Sequence, residues 1–452
     1  MAGVVTTVCK YIMIVLAMLY TIGAISAVFK NKVRKLEWSY YRQNLLVFLI
    51  HAVGYFTIVI NTQKVQMVIF YVAQVLFFVI YLSLYRGIYR KACTVLLNHM
   101  LFLLSISFIM LARLSFDKAL RQFIIVCVAA IVTLVVPKMF AKLKAARKWA
   151  AVTGIIGILL LCLVLASEKI FGANLAIEIG PISVQPSEFV KISYVLLIAV
   201  LFRERSDFKR VLFGTAIAGA HVLILVLATD LGGALIYFFS YLCIILVATK
   251  KPAYFLGGLG LGSGAAVIAY FLFGHVRARV AAWQDPWSIF YDAGNQLGNS
   301  LFGLASGGWF GQGLYQGSPR KIGVVEKDFI FSAITEEMGA IVAICVLIVS
   351  LCCVLMFIKV AINLYIPFYK LVGVGLACIY GVQVFLSVGG NIRFIPSTGV
   401  TIPLVSYGGS SILSTFIIFG IIQELYIKRR NEEDRIEKRK KEDIIHARRD
   451  LA

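Results

Sequence analysis

VLFGTAIAGAHVLILVLATDLGGALIYFFSYLCIILVAT, residues 211–249, is the stretch whose reading decides the fold. It contains two apolar runs, 211–228 and 231–249, separated only by Thr229 and Asp230. Each run is long enough to cross a hydrocarbon core of about 30 Å as a helix. Neither alternates polar with apolar residues, as the strands of about 10 residues in a membrane barrel do. Runs of the same kind continue on both sides, near 8–29, 44–62, 65–85, 95–112, 122–137, 149–166, 188–202, 254–274, 331–357, 371–389 and 406–426. With 60% hydrophobic residues and a mean hydropathy of +0.90, the chain exceeds the roughly 45–50% apolar usage of soluble domains. The sequence predicts an all-α polytopic membrane protein with thirteen spans. The first run follows a single Lys and has no small-residue cleavage site, so it reads as a retained span and not a signal peptide.

Charge orients these spans. The net charge is +22, and 31 of the 44 Lys and Arg fall in loops 30–43, 86–94, 138–148, 203–210, 250–251 and 358–370 and in the tail from Lys428. Bases mark cytoplasmic loops, which puts the N-terminus outside and the C-terminus inside. The same rule accounts for the positive charge without nucleic acid as a partner. Arg113, Lys118 and Arg121 oppose the trend in one short outer turn. The tail 428–452 mixes bases with acids and reads as a solvated helix or disordered segment near the inner leaflet.

Of the nine cysteines, Cys127, Cys162, Cys243, Cys345, Cys352, Cys353 and Cys378 are among those inside apolar runs, where Cys behaves as a small hydrophobe. No Cys or His spacing suggests a metal site. His51, His99, His221, His275 and His446 form no triad with the serines, which disfavours serine-nucleophile chemistry.

The unusual residues gather on the predicted outer surface. The segment from His275 to about Ile330 is rich in Gly and Trp and is broken by Pro286 and Pro319. Structureless loops of that length are uncommon unless functional. Loop 390–403 holds Pro396, Gly399 and Pro403, and such irregular backbone near a membrane must be satisfied by protein or water. Four motifs occur in order. They are Gln185-Pro186-Ser187-Glu188 with Lys191, and Thr229-Asp230-Leu231-Gly232. Next comes ASGGWFGQGLYQG (305–317), followed by Asp328-Phe329-Ile330-Phe331 and Glu336-Glu337. The last is PSTGVTIPLVSYGGSS (396–411).

In this order the motifs resemble the SEDS family (shape, elongation, division and sporulation) of FtsW, RodA and SpoVE. The likeness covers about 95–430, hence a ten-span core preceded by three additional helices (1–94) and followed by a charged tail (428–452). The resemblance implies a peptidoglycan glycosyltransferase in the cytoplasmic membrane. It would polymerise lipid II, passing a glycan from its undecaprenyl pyrophosphate to the 4-hydroxyl of an incoming sugar. It further implies a class B penicillin-binding protein as partner and a divalent cation, Mg or Mn, for which no ligand cluster is visible. Such a reaction needs a base for the hydroxyl and positive charge for the departing pyrophosphate.

The DFIF segment aligns Asp328 with the family's essential aspartate. From the residues alone Asp328 is either a helix cap or a base raised in pKa by partial desolvation. Glu188 and Lys191 share a helix face, as a snorkelling ion pair or as cavity lining. Pro186 suits the start of that helix and Ser187 its cap. Asp230 caps the helix after it or pairs with a base in the cavity. Arg277, Arg279, Arg320, Lys321 and Arg393 are candidate pyrophosphate contacts, because guanidinium forks match phosphate oxygens. Ser406-Tyr407-Gly408-Gly409-Ser410-Ser411 opens the last span, with Ser406 and Ser410 as substrate-side candidates and close helix packing as the other reading. The Gly-rich 305–317 lacks the Lys-Ser/Thr of a Walker loop, and its glycines read as permitting tight turns. Trp283, Trp287 and Trp309 suit interfacial anchoring.

The chain departs from the family pattern at Leu175-Ala176, where many members have Arg-Trp, and at Ser387, where Asn is frequent. The added spans are a third departure. Two other functions remain to be weighed, a lipid II flippase and a non-enzymatic scaffold of a cell-wall complex. A transporter would be expected to place charges at mid-membrane, often in repeated halves. Here the charges cluster at outer ends and no internal repeat is evident.

Overall fold

The computed structural model describes residues 2–30, 33–142, 146–165, 177–179, 182–204 and 206–449; Leu175 and Ala176 lie outside them. The chain runs α1 (Ala2–Phe29), α2 (Val33–Thr62), α3 (Val65–Ile88), α4 (Thr94–Leu114), α5 (Phe116–Lys142) and α6 (Ala146–Leu165). A two-stranded antiparallel ribbon follows, β1 (Ile177–Ile179) with β2 (Ile182–Val184), in which Ile177 faces Val184. Then come α7 (Pro186–Phe202), α8 (Phe208–Leu227), α9 (Leu231–Thr249), α10 (Pro252–Leu272), α11 (Gly274–Gln284) and α12 (Asn295–Gly307). The last four are α13 (Ile330–Met338), α14 (Ala340–Ile362), α15 (Pro367–Asn391) and α16 (Gly409–Arg449).

Thirteen of these helices coincide with the expected spans. Among the described residues eleven are long and apolar enough to cross a membrane. The other two, α6 with its apolar stretch Val152–Leu163 and the 17-residue α7, are shorter. Proline begins α7, α10 and α15, where its missing N–H belongs to a helix position without an intrahelical partner.

One expected span is corrected. The apolar run 331–357 is two helices, because Gly339 (φ +93°) breaks it. Loop 308–313 fills the break. Gln312 N donates to Glu336 O and Gly313 N to Glu337 O, both at 2.8 Å, and Ala340 N donates to Gly308 O at 2.9 Å. The two backbones touch at glycines: a Cβ on Gly339 would lie 2.5 Å from Trp309 O, and one on Gly311 would lie 2.5 Å from Glu337 O. Interrupted backbone at this depth is tolerated because another loop satisfies it. The long segment 275–330 is likewise structured, by α11, α12 and a 3₁₀ turn at Pro319–Lys321.

Every residue from Val95 to Leu114 of α4 is buried, as expected of a helix apolar on all faces. α4 is wrapped by α2, α5 and α14, whereas α10 buries no residue at all. The added helices join this core through polar contacts. Tyr20 meets His99 Nδ1 at 2.8 Å, His51 Nδ1 meets Ser105 Oγ at 3.0 Å, and Asn98 donates to Tyr40 O at 2.9 Å. Such bonds within a membrane average only about 0.6 kcal/mol, so they specify register more than stability.

The loops divide between two faces. Lys10 at the start of α1 donates to Gly311 O at 3.0 Å, placing that end with the long segment 275–330. On the opposite face Lys91 pairs with Asp434 of the tail, and Lys359 donates to Val28 O at 2.6 Å. α16 continues without a break into this tail, which is helical to Arg449.

Candidate active site

Three loop-face elements converge beneath segment 392–408: the turn before α13, the α8–α9 corner, and α11. Asp328 sits in the first. Phe329, not Asp328, is the N-cap of α13, and no side chain caps that helix. The capping reading of Asp328 therefore falls. Asn391 Nδ2 holds the Asp328 carbonyl at 2.6 Å, while the carboxylate faces Gly399, where a Cβ would lie 3.6 Å from Oδ2. Gly399 has φ +72°, a conformation that glycine adopts without cost. Burial pushes the Asp328 carboxyl above the ordinary carboxylate range; Lys327 and Arg279 pull it back and Glu326 adds to the rise.

Arg279 of α11 sits within the field of both Asp328 and Asp230. Its Nη1 donates to Ser397 O at 3.2 Å, which ties α11 to segment 392–408. Asp230 caps α9, accepting from Gly233 N at 2.8 Å, and it also accepts from Ser187 Oγ at 3.2 Å, while the base nearest in effect, Arg279, acts on it through its field. Burial raises its carboxyl too, opposed by Gly233 N–H; Glu188 adds to the rise, while Ser187 and Arg279 lower it. Ser187 is thus not the cap of α7. Gln185 occupies that position with Pro186 next, and the Ser187 hydroxyl is used across the α7–α9 contact.

Behind this group lies a continuous polar chain. Glu188 Oε2 accepts from Lys191 Nζ at 2.6 Å and from Ser414 Oγ at 2.7 Å. Lys191, 2% exposed, also donates to Gln383 Oε1 at 2.9 Å. Gln383 Nε2 passes the chain to Thr401 O and Ser411 Oγ, both at 3.2 Å. Ser410 Oγ accepts from Gln185 N at 3.0 Å, and Ser406 Oγ accepts from Ile402 N at 2.9 Å. The two serines hold segment 396–411 in shape over α7.

The remaining candidates lie apart. The Arg393 guanidinium is taken up by the carbonyls of Trp283 (2.8 Å) and Gln284 at the C-terminal end of α11, and Trp283 Nε1 returns a bond to Arg393 O. Arg277 is exposed and bonds locally to Phe271 O. Arg320 and Lys321 are exposed on the 3₁₀ turn near Arg113.

Gln383, Asn391 and Arg113 were not singled out in the sequence as site residues. The first two are neutral amides at helix positions, which no charge or motif argument marks. Arg113 carried a signal, as a base on the wrong side. Its charge is answered there by Glu337, at 2.8 Å across a buried contact, and Lys118 is answered by Glu326.

Fold and site together define a multi-pass membrane protein whose loop face holds two raised carboxyls about one arginine. The chain belongs to the FtsW/RodA/SpoVE family, described as cell cycle protein, whose pattern matches residues 87–431. It is 34% identical over 276 residues to the peptidoglycan glycosyltransferase RodA of Mycobacterium bovis, a match covering 56% of this chain and 58% of that one. To the RodA of Mycobacterium leprae it is 31% identical over 301 residues, 62% of this chain and 63% of the relative. The probable peptidoglycan glycosyltransferase FtsW of Geobacter metallireducens is 31% identical over 293 residues, covering 61% and 77%. The matches thus span about three fifths of the mycobacterial relatives' length. In fold the chain resembles a protein solved in work on polymerization and crosslinking by a peptidoglycan synthase complex (TM-score 0.63, 24% identity, 74% of this chain and 97% of that one). It also resembles the rod shape determining protein RodA of Thermus thermophilus (TM-score 0.56, 23% identity, 74% and 96%).

Proposed function

We propose that this chain is a peptidoglycan glycosyltransferase that polymerises lipid II on the outer face of the cytoplasmic membrane. The observation that carries the reading is the placement of Asp328, raised in pKa, uncapped, and beside Arg279 under segment 392–408. Asp328 would take the proton from the 4-hydroxyl of the incoming sugar as that oxygen attacks C1 of the donor strand. The bond from C1 to the pyrophosphate oxygen breaks, and undecaprenyl pyrophosphate leaves with the electron pair. Arg279, held to Ser397 O through Nη1, would answer the charge that develops there. Asp230, Ser187 and the Glu188–Lys191 pair would position Arg279 and the floor of the cleft. Arg277, Arg320 and Lys321 would meet pyrophosphate only at the rim, and Arg393 would act through α11.

Among the described residues no group of three His, Cys, Asp or Glu side chains could hold a metal ion. Such an ion would enter with the pyrophosphate, since Mg²⁺ on phosphates requires only one or two protein carboxylates. The charge distribution supports an outer N-terminus, an inner tail, and a core of 95–427 behind three added helices. By analogy with the peptidoglycan synthase complex, a class B penicillin-binding protein transpeptidase would be the partner.

The test is fluorescent lipid II supplied to the chain co-purified with its transpeptidase, with and without Asp328→Asn. Glycan strands from the wild type, and a loss of 100-fold or more in the variant, are expected for a removed general base. Transbilayer movement of lipid II without polymer, unchanged by the substitution, would establish a flippase. A complex that binds its partner but yields no product from either protein would establish a scaffold.

A further inference from the structure

On the face opposite Asp328, a cavity of about 360 Å³ lies between α2, the α3–α4 connection and α16. Arg86, Arg90 and Arg430 line it together with Tyr40, Tyr89 and Tyr426, and no carboxylate does. Neighbouring acids are already engaged: Asp434 by Lys91, Glu433 by Arg429, and Glu424 by Lys428. The Arg86 guanidinium stands over the Tyr40 ring, 4.6 Å from its centroid, and donates from Nη2 to the Tyr41 hydroxyl at 3.5 Å, so two aromatic side chains of α2 hold it at the cavity. Thr94 and Val95, the first turn of α4, also border the space, and α4 has no side-chain cap. The N-terminal end of its dipole adds to the positive field of the arginines.

The cavity's level indicates the source of that anion. Trp38 (78% exposed) and Tyr41 (60% exposed) stand beside Tyr40 on α2, and exposed aromatic rings mark the headgroup layer. Leu45 on α2 and Leu84 and Ile88 on α3 present exposed apolar surface next to it, where acyl chains would lie. We propose that this cavity binds the phosphate headgroup of an anionic phospholipid, which bridges the added helices α2 and α3 to α16 of the core. Basic pockets between helices on the cytoplasmic side are a known way of holding such headgroups. The volume suits a phosphodiester headgroup with its tails outside. Nothing in this inference depends on the chemistry assigned to Asp328.

The experiment measures phospholipid retained by the full-length chain in mixed micelles, by native mass spectrometry, as phosphatidylglycerol is titrated against phosphatidylcholine. Arg86→Gln with Arg430→Gln is compared with Lys250→Gln plus Lys251→Gln, which removes two exposed bases outside the cavity. Each arginine at the surface is expected to contribute roughly fivefold, so the arginine pair should weaken phosphatidylglycerol binding about 25-fold. The lysine pair should change it less than threefold. Melting in phosphatidylcholine alone, unchanged in all three proteins, shows that the variants fold. Equal losses in the two variants overturn the proposal in favour of diffuse surface charge, and no loss in either overturns it outright. Displacement of phosphatidylglycerol by millimolar inorganic phosphate would assign the site to a soluble anion and overturn the lipid.

Discussion

The buried pair Arg113–Glu337 supports the loop over the α13–α14 break, and a double-mutant cycle measures how much. Arg113 Nε and Nη2 reach Glu337 Oε1 at 2.9 and 2.8 Å, with Glu337 fully buried and Arg113 9% exposed. Arg113 also donates to Gly317 O at 3.3 Å and lies 4.3 Å above the Tyr315 ring, while Glu337 accepts from Tyr315 N at 3.2 Å. Removing one partner strands a buried charge, which costs about 3–5 kcal/mol. Arg113→Met and Glu337→Leu should each therefore cost about that much. In the double variant neither charge remains. What is lost is two hydrogen bonds at about 1 kcal/mol each and a cation–π contact of about 0.5–1 kcal/mol, hence roughly 2–3 kcal/mol in all. The coupling is then at least 3 kcal/mol. Unfolding by sodium dodecyl sulfate in mixed micelles reads the stabilities. A double variant as unstable as the two single costs added together would refute the reasoning.

Two further outcomes follow from the site. The raised carboxyl of Asp328 must be ionised to accept a proton, so the rate of polymerisation should fall as pH drops through a value above the ordinary carboxylate range; an acidic limb at or below that range, read from initial rates on lipid II, would contradict burial as the cause. Gly339→Ala forces φ +93° on a residue with a Cβ and drives that atom into Trp309 O and Phe310 C, so a loss of 2 kcal/mol or more in the same unfolding assay is expected, and a neutral effect would mean that the loop does not dock there.

The helices were legible because the membrane imposes one period and one length on every span. Errors arose where backbone, not side chain, made the decision. Residues 331–357 read as a single apolar run because Gly339 carries no polarity to announce a break, and its consequence appears only when Gly311 arrives from 28 residues upstream. Asp328 stood out through its motif, yet its freedom from capping depends on Phe329 taking the N-cap position of α13. Charged residues marked a region of the loop face, but their partners were unreadable. Arg279 and Arg393 look alike in sequence; one bonds Ser397 O within the field of Asp230 and Asp328, and the other closes on the end of α11. The neutral amides Gln383 and Asn391 connect the charged groups across helices far apart in the chain, and nothing local distinguishes them.

The same distinction bears on the three added helices, whose sequence carries no chemistry. Lys10 donates to Gly311 O, the Tyr11 and Phe310 rings lie 6.0 Å apart, and Asn61 holds Thr6 at 2.9 Å beneath the loop. These contacts fall on the very loop that fills the α13–α14 break, and α13 begins two residues after Asp328. Across the membrane, the arginine cavity ties α2 and α3 to α16. The first three helices therefore meet the rest of the chain at both faces, and on one of them they contact the loop that docks against Gly339. A chain beginning at residue 95 would lose the Lys10 bond and the ring beneath Phe310 together. An inactive truncation would thus reflect a loop without its support, and it would say nothing of any chemistry in the first three spans.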